Sequence, residues 1–515
     1  MRIGIDVGGT NTDAVLMKGS SVVSWYKTPT TPDVTSGIIT VLKGLLEQSP
    51  TDRSKIRGVM IGTTHFTNAV IERRHLIPTA SIRLGLPATE SLPPMVDWPP
   101  DLREAIGNHR YLAHGGYEFD GRTISSFDEQ EICSIARQIR DKGIRSVAIS
   151  SVFSPVNSEH EQRTAAIIES EIPNVAVSIS SEIGRIGLLE RENATIMNAC
   201  LHDLARAIVN SFRQALAEMR IEAPFYITQN DGTLMSAEYA EKYPVFTFAS
   251  GPTNSMRGAA FLSGIKEAIV VDIGGTSPDV GMLVNGFPRE ASIAVKVGGV
   301  RTNFRMPDVY SFGLGGGSFV RRDPLTIGPQ SVGYELTSQA LIFGGDVLTA
   351  SDIAVASGVA DFGERSRVSH LDRSFVAAAL NRMQSMIEDA VDRMKPSAAP
   401  IPIILVGGGS ILISNSLQGA SEVVKPNHFS VANAIGAAIA QVGGEIDRVF
   451  SLEKMSRDEA LGQAKQEAID KTLAAGAEAS SIEIVEVEEI PLSYLPSNIV
   501  RMRVKAVGDL SLEDQ

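Results

Sequence analysis

The sequence carries one eight-residue pattern twice. Asp6-Val7-Gly8-Gly9-Thr10-Asn11-Thr12-Asp13 and Asp272-Ile273-Gly274-Gly275-Thr276-Ser277-Pro278-Asp279 share the form D-x-G-G-T-x-x-D. A short apolar run precedes each copy, Ile3 to Ile5 and Ala268 to Val271, and another follows, Ala14 to Met17 and Val280 to Val284. Apolar run, glycine turn, apolar run predicts a β-hairpin with an acid at each end of its turn. One copy alone reads as an ordinary turn. Two copies with matched flanks predict two related domains facing one site.

The residue types fit phosphate chemistry. Paired glycines let backbone N–H groups approach an anion with no side chain in the way. Thr10 and Thr276 add hydroxyl donors. Asp6 and Asp272 end their strands at the turns, where a carboxylate holds Mg²⁺ directly or through water. Asp13 and Asp279, past the turns, are placed to orient a nucleophile or the water shell of the metal.

A chain of 515 residues is long enough for two to four domains. Its apolar and charged contents, 43% and 21%, are those of a globular protein. The net charge of −13 argues against a nucleic-acid or anionic-membrane partner. No apolar run approaches membrane-spanning length. Two cysteines, Cys133 and Cys200, are too few for a disulfide framework, and a first strand at Ile3 leaves no room for a signal peptide; a cytoplasmic protein is expected.

Along the chain, residues 1–84 read as the first half of an N-terminal α/β domain, with strands at Val22–Lys27 and Gly58–Thr63 and a helix at Val34–Glu47. Residues 85–127, rich in Pro and Gly with isolated aromatics, predict an irregular insertion or lid. Residues 128–188 alternate helix and strand and continue the first domain. Residues 189–220 predict connecting helices. Residues 221–444 predict the second domain, which carries the duplicate hairpin, a long helix at Arg373–Met394 and a final helix at His428–Gln441. Residues 445–515 predict an acidic C-terminal extension.

Two D-x-G-G-T hairpins, an interdomain helix and a late strand running into Gly407-Gly408-Gly409 resemble the actin-like ATPase fold shared by sugar kinases, Hsp70 and actin, two ribonuclease-H-like domains closing over ATP. Within that fold, Ile3 to Asp13 is similar to the opening of the hydantoinase A/5-oxoprolinase family. Gly62-Thr63-Thr64-His65-Phe66-Thr67-Asn68-Ala69-Val70-Ile71-Glu72-Arg73 resembles the family's G-T-T-x-x-T-N-A-x-x-E-R segment, and Ser250-Gly251-Pro252, Asp272 to Val280, Gly315-Gly316-Gly317-Ser318 and Val406 to Gly409 continue the likeness in order. Two departures stand out: Pro278 replaces the family's usual threonine, and after Gly328-Pro329-Gln330-Ser331-Val332-Gly333 the pattern is lost.

The resemblance implies an α/β fold and an ATP-dependent subunit that phosphorylates a ring carbonyl oxygen of a cyclic amide to promote ring opening, or serves ketone carboxylation. It implies ATP and Mg²⁺ as cofactors and a second, hydantoinase B-like subunit as partner. It assigns the nucleotide to Gly8, Gly9, Thr10, Asn11 and Thr12, to Gly274, Gly275, Thr276 and Ser277, to Gly315 and Gly316, and to Gly407, Gly408 and Gly409, with Asp6 and Asp272 on the metal and Asp13, Asp279 and His65 in catalysis. A small-molecule kinase and a non-catalytic ATPase switch are the rival classes. His65 reads equally as a substrate contact or a hydrogen-bonded loop residue; Asn68, Glu72 and Arg73 point into the cleft or serve the helix; His109 and His114 read as solvated loop residues, with a metal role as the alternative; His202 and Asp203 read as structural; and Asp231 reads as turn chemistry, with a place in the cleft lining as the alternative.

Overall fold

The computed structural model describes all residues except 32, 292–293, 415, 454, 492–498 and 513–515. Its two principal sheets repeat one plan. In the first, Arg2–Val7 pairs antiparallel with Asn11–Lys18, which pairs with Ser21–Pro29, while Gly58–Thr63 and then Phe225–Thr228 add in parallel on the other side. In the second, Ala268–Ile273 pairs antiparallel with Pro278–Val284, and Ile401–Val406 and Ala420–Val424 add in parallel. Both have the third-second-first-fourth-fifth strand order of a ribonuclease-H-like domain. Alternation sets each strand: Ile3, Ile5, Ala14 and Leu16 bury in one core, Ile269, Val271, Val280 and Ile403 in the other.

Strand order shows where the sequence divisions differ from the chain's own. Phe225–Thr228 and Thr233–Ser236 fall within the predicted second domain but are strands of the first sheet. The predicted C-terminal extension also joins that sheet: Gln441–Ser451, Ile499–Gly508 and Glu483–Pro491 extend it to nine strands. The helix expected over His428–Gln441 therefore stops at Ala438. From Gln441 burial alternates with period two, and the strand pairs with Ile499–Gly508 over ten residues. Part of the tail, residues 492–498 and 513–515, lies outside the described residues.

The segment expected as an irregular lid is also built into the fold. It holds the helix Pro100–Ile106 and the strand His109–His114, which lies parallel beside Thr79–Leu86 in a four-stranded sheet with Ser146–Ser151 and Ala176–Ile179. Met95, Trp98, Leu102 and Ile106 bury in the first core, and the Trp98 indole N–H donates to Asn193 Oδ1 at 2.7 Å. Of its aromatics, Trp98 and Tyr117 are buried, and Trp98 anchors this Pro- and Gly-rich stretch to the first core.

Two helices pack onto the base of the first hairpin. Helix Ala432–Ala438 crosses Gly4 so closely that a Cβ there would lie 2.1 Å from Ala434 O. The same helix meets Ser250–Ser263 through Gly436 and Gly258, where added Cβ atoms would lie 1.8 and 1.9 Å from backbone oxygens. Glycine at these crossings carries Asn254 and Asn433 to the ends of the first hairpin's strands. Among the described residues, no helix is long and apolar enough to cross a membrane.

Candidate functional site

The two hairpin turns close identically. Gly8 N–H donates to Asn11 O at 3.0 Å, and Gly274 N–H donates to Ser277 O at 3.1 Å. The turns also meet: a Cβ on Gly275 would lie 2.9 Å from Thr10 Cγ2. Among the described residues, the amides of Gly9, Thr10, Gly275 and Thr276 make no backbone hydrogen bond, so four N–H groups from two domains are free at one place. Unpaired amides at a glycine turn are the groups from which a backbone anion cradle is built. Gly8 and Gly274 were expected as donors to a ligand; their N–H groups instead fasten the turns.

In register, Asp6 faces Asp13 and Asp272 faces Asp279. The first pair is buried and the second half-buried. Loss of solvation, and then the Asp13 charge, raise Asp6 to about 6. The same loss, and then Asp272, raise Asp279 to about 7. Burial also raises Asp13 and Asp272. One cation answers them: Lys27, opposite Asp13 on the third strand, places Nζ 3.1 Å from Asp13 Oδ1. Asn433 Nδ2 donates to Asp6 Oδ2 and Asp13 Oδ2, both at 2.9 Å, and Asn254 Nδ2 reaches Asp6 Oδ1 at 3.4 Å. On the second hairpin the residue opposite Asp279 is Ser311, whose hydroxyl donates to it.

Of these partners, Lys27 alone carries a signal in the sequence. Lys27 lies in the predicted third strand and would follow from aligning that strand with Asp13. Asn433 and Asn254 come from helices remote in sequence and have no local signal. Asn254 Oδ1 accepts no hydrogen bond among the described residues, and Asp13 Oδ1 is met by the Lys27 ammonium. Four clustered carboxylates with one lysine leave a negative excess that suits a divalent cation. Among the described residues no group of three or more His, Cys, Asp or Glu side chains could hold a metal. The carboxylates present would suit Mg²⁺ only as an ion that keeps water and takes phosphate oxygens.

The glycine runs do different work from one another. Gly315 and Gly316 were expected to touch nucleotide. Both are buried, Gly315 N–H donates to Ser318 Oγ, and Gly316 and Gly317 donate to Gly274 O and Gly275 O at 3.2 and 2.8 Å. They brace the second turn from behind, with no amide left for a ligand. Gly407, at φ +82°, passes so close to Asp272 that a Cβ would lie 2.1 Å from its Oδ1, and a Cβ on Gly409 would lie 2.7 Å from Gly274 O. Gly408 is exposed with open space beside it. Asn11 and Ser277 supply the turn-closing carbonyls, and Thr12 is buried with its hydroxyl 3.3 Å from that of Thr30.

His65 begins the helix His65–Glu72, directly after a strand whose Thr63 faces Val7 at the first turn. Its Nδ1 shares a 2.6 Å hydrogen bond with Thr63 Oγ1, and burial lowers it to about 4, so the ring is neutral at physiological pH. The other residues of that motif serve the scaffold. Arg73 pairs with Asp101 and donates to Val70 O and Gly298 O, and Glu72 is exposed. His114 pairs with Glu131 and His202 with Asp203 on the surface. Asp231 is more than a turn residue: Lys505 lies 2.7 Å from it, and it is held below the usual carboxylate range by Lys505 and Arg305 against the cost of burial.

Comparison with known proteins places the chain in a family. The chain is 27% identical over 472 residues to caprolactamase subunit alpha of Pseudomonas jessenii, covering 85% of this chain and 65% of that one. It is 27% identical over 398 residues to the acetophenone carboxylase gamma subunit of Aromatoleum aromaticum, covering 69% and 53%. The chain thus spans roughly half to two thirds of the length of these curated relatives. The crystal structure of the ATP-dependent caprolactamase of Pseudomonas jessenii superposes with a TM-score of 0.78 at 20% identity, covering 99% of this chain and 88% of that one, which shows a shared fold. Residues 2–172 match the hydantoinase/oxoprolinase N-terminal region and residues 191–361 the hydantoinase/oxoprolinase domain, and the chain belongs to the hydantoinase/oxoprolinase family.

Proposed function

We propose that this chain is the ATP-using subunit of an enzyme that activates a small cyclic amide by phosphorylating its carbonyl oxygen. The observation that carries the reading is the meeting of two D-x-G-G-T turns, with four free amides and four carboxylates, between two domains of the same fold. An amide carbonyl is a poor electrophile. Moving the γ-phosphoryl group onto its oxygen, with ADP leaving, lets a water add to the carbon; the C–N bond then breaks with a proton to nitrogen, and the acyl phosphate so formed is hydrolysed by a second water to carboxylate and phosphate.

The work of the protein in such a transfer is positioning and charge neutralisation. The amides of Gly9, Thr10, Gly275 and Thr276 would hold phosphate oxygens. Asp6 and Asp272 would hold Mg²⁺, which when bound supplies positive charge against the phosphates. Asp13, fastened by Lys27 and Asn433, would order the clamp. Asp279, raised to about 7, would accept the proton of the attacking water. The neutral His65 ring would hydrogen-bond the substrate. The relatives named as subunits support a second polypeptide in the working enzyme.

The test is ADP release with Mg-ATP across a panel of lactams, hydantoins, ketones and polyols, with and without Asp272→Asn and with the cognate second subunit added. Stimulation by a cyclic amide, lost in the variant, is expected. Stimulation by a ketone would move the reading to carboxylation; a stable phosphorylated polyol would replace it with a kinase.

A further inference from the structure

The nine-stranded sheet splits. Thr233 and Leu234 pair with Gln441 and Val442, and there the two strands part: one stays with Phe225–Thr228, the other with Ile499–Gly508. The gap is a cavity of about 740 Å³, within the range of small-molecule sites, and its lining includes none of the hairpin-turn residues.

Its lining has a definite polarity. Tyr239 and Phe246, stacked at 6.3 Å, give an apolar wall. Glu445 projects from the parted strand. Among the described residues neither of its carboxylate oxygens accepts a hydrogen bond; the nearest cations are Arg305 Nε at 3.2 Å and Arg185 Nη2 at 3.6 Å. Paired to these two guanidiniums without a hydrogen bond and 28% exposed, the carboxylate keeps acceptor sites that a ligand N–H can take. On the helix Arg457–Ala474, Lys471 donates to Glu445 O at 3.0 Å, with its side chain half exposed and Glu467 no nearer than 3.9 Å. Its ammonium has N–H groups to spare. An acceptor carboxylate, an apolar wall and a donor ammonium thus line one chamber.

We propose that this cavity is a binding site for a zwitterionic aliphatic amino acid, with its ammonium on Glu445 and its carboxylate on Lys471. Binding does not depend on the reaction proposed above. The link is chemical: opening a lactam ring produces this class of molecule, so the site would hold the product class away from the nucleotide.

Calorimetric titration of the nucleotide-free chain with ε-aminocaproate and with glutamate tests this, against ε-caprolactam and caproate as controls. One or both zwitterions should bind, with lactam and caproate at least about tenfold weaker, and Glu445→Gln should weaken binding by roughly tenfold or more. Mg-nucleotide affinity should be unchanged in the variant. Should Glu445→Gln fail to fold, Lys471→Met, at a half-exposed position, should still weaken binding several-fold. No binding of either zwitterion, equal binding of the lactam, or indifference to both substitutions would overturn the proposal. Loss of nucleotide binding in the wild-type chain would count against the phosphate clamp and leave this result standing.

Discussion

The first hairpin places a lysine opposite its second aspartate; the second hairpin places a serine there. Asp13 faces Lys27 and Asp279 faces Ser311 at equivalent positions of two otherwise matched ladders. Buried Asp13 has a counter-charge and an asparagine bridging it to Asp6. Half-buried Asp279 has one hydroxyl and stands near 7. On the proposed reading, one cross-strand difference would divide the work of two similar turns: the first would serve as a brace held by its lysine, and the second would be left able to exchange a proton.

The largest effect should come from removing what the hairpins share. Asp6→Asn or Asp272→Asn should lower ATP turnover by about 10³-fold, since each removes a carboxylate assigned to the metal; steady-state ADP release measures it, and a loss below tenfold would break the equivalence of the two hairpins. Next is the brace. Lys27→Met leaves Asp13 buried without its cation and should cost about 3 kcal/mol in urea unfolding. Asp13→Asn in the same chain should recover much of that, whereas an additive loss would show that Lys27 acts elsewhere.

A smaller effect is in pH. Asp6 and Asp279 have folded values of about 6 and about 7, above the unfolded value of 3.8. Between these values the folded chain binds more protons than the unfolded one, so their contribution to stability is present at low pH and lost as pH rises through 6 to 7. Thermal melting of the nucleotide-free chain checks this: Asp279→Asn should raise the melting temperature at pH 8, and by less at pH 5. Ser311→Lys should have a similar effect at pH 8 by giving Asp279 the partner that Asp13 has. The smallest effect belongs to Pro278→Thr. Pro278 is buried opposite Ile273 at the position of Thr12, so nucleotide affinity should move by no more than about threefold, roughly 0.6 kcal/mol.

What the sequence made legible follows the same division. Acids flanking a Gly-Gly-Thr turn are local chemistry, and Asp6, Asp13, Asp272 and Asp279 were readable from spacing alone. Lys27 depends on strand register, and Asn254 and Asn433 depend on helices that reach the hairpin only because Gly4, Gly258 and Gly436 let them close in. Gly315 and Gly316 look in sequence like a phosphate loop; topology turns the Gly315 amide onto Ser318 and the amides of Gly316 and Gly317 toward the second turn. The division at residue 221 failed because a parallel strand pairs without regard to distance along the chain, so Phe225–Thr228 returns to Gly58–Thr63.

The most direct test is equilibrium binding of a non-hydrolysable ATP analogue, with and without Mg²⁺, to the wild type, Asp6→Asn, Asp272→Asn and the double variant. One shared clamp predicts that Mg²⁺-dependent affinity falls in each single variant and that the double variant is little worse than the weaker single. An unaffected single variant, or losses that simply add, would mean that the two hairpins do not hold one ligand.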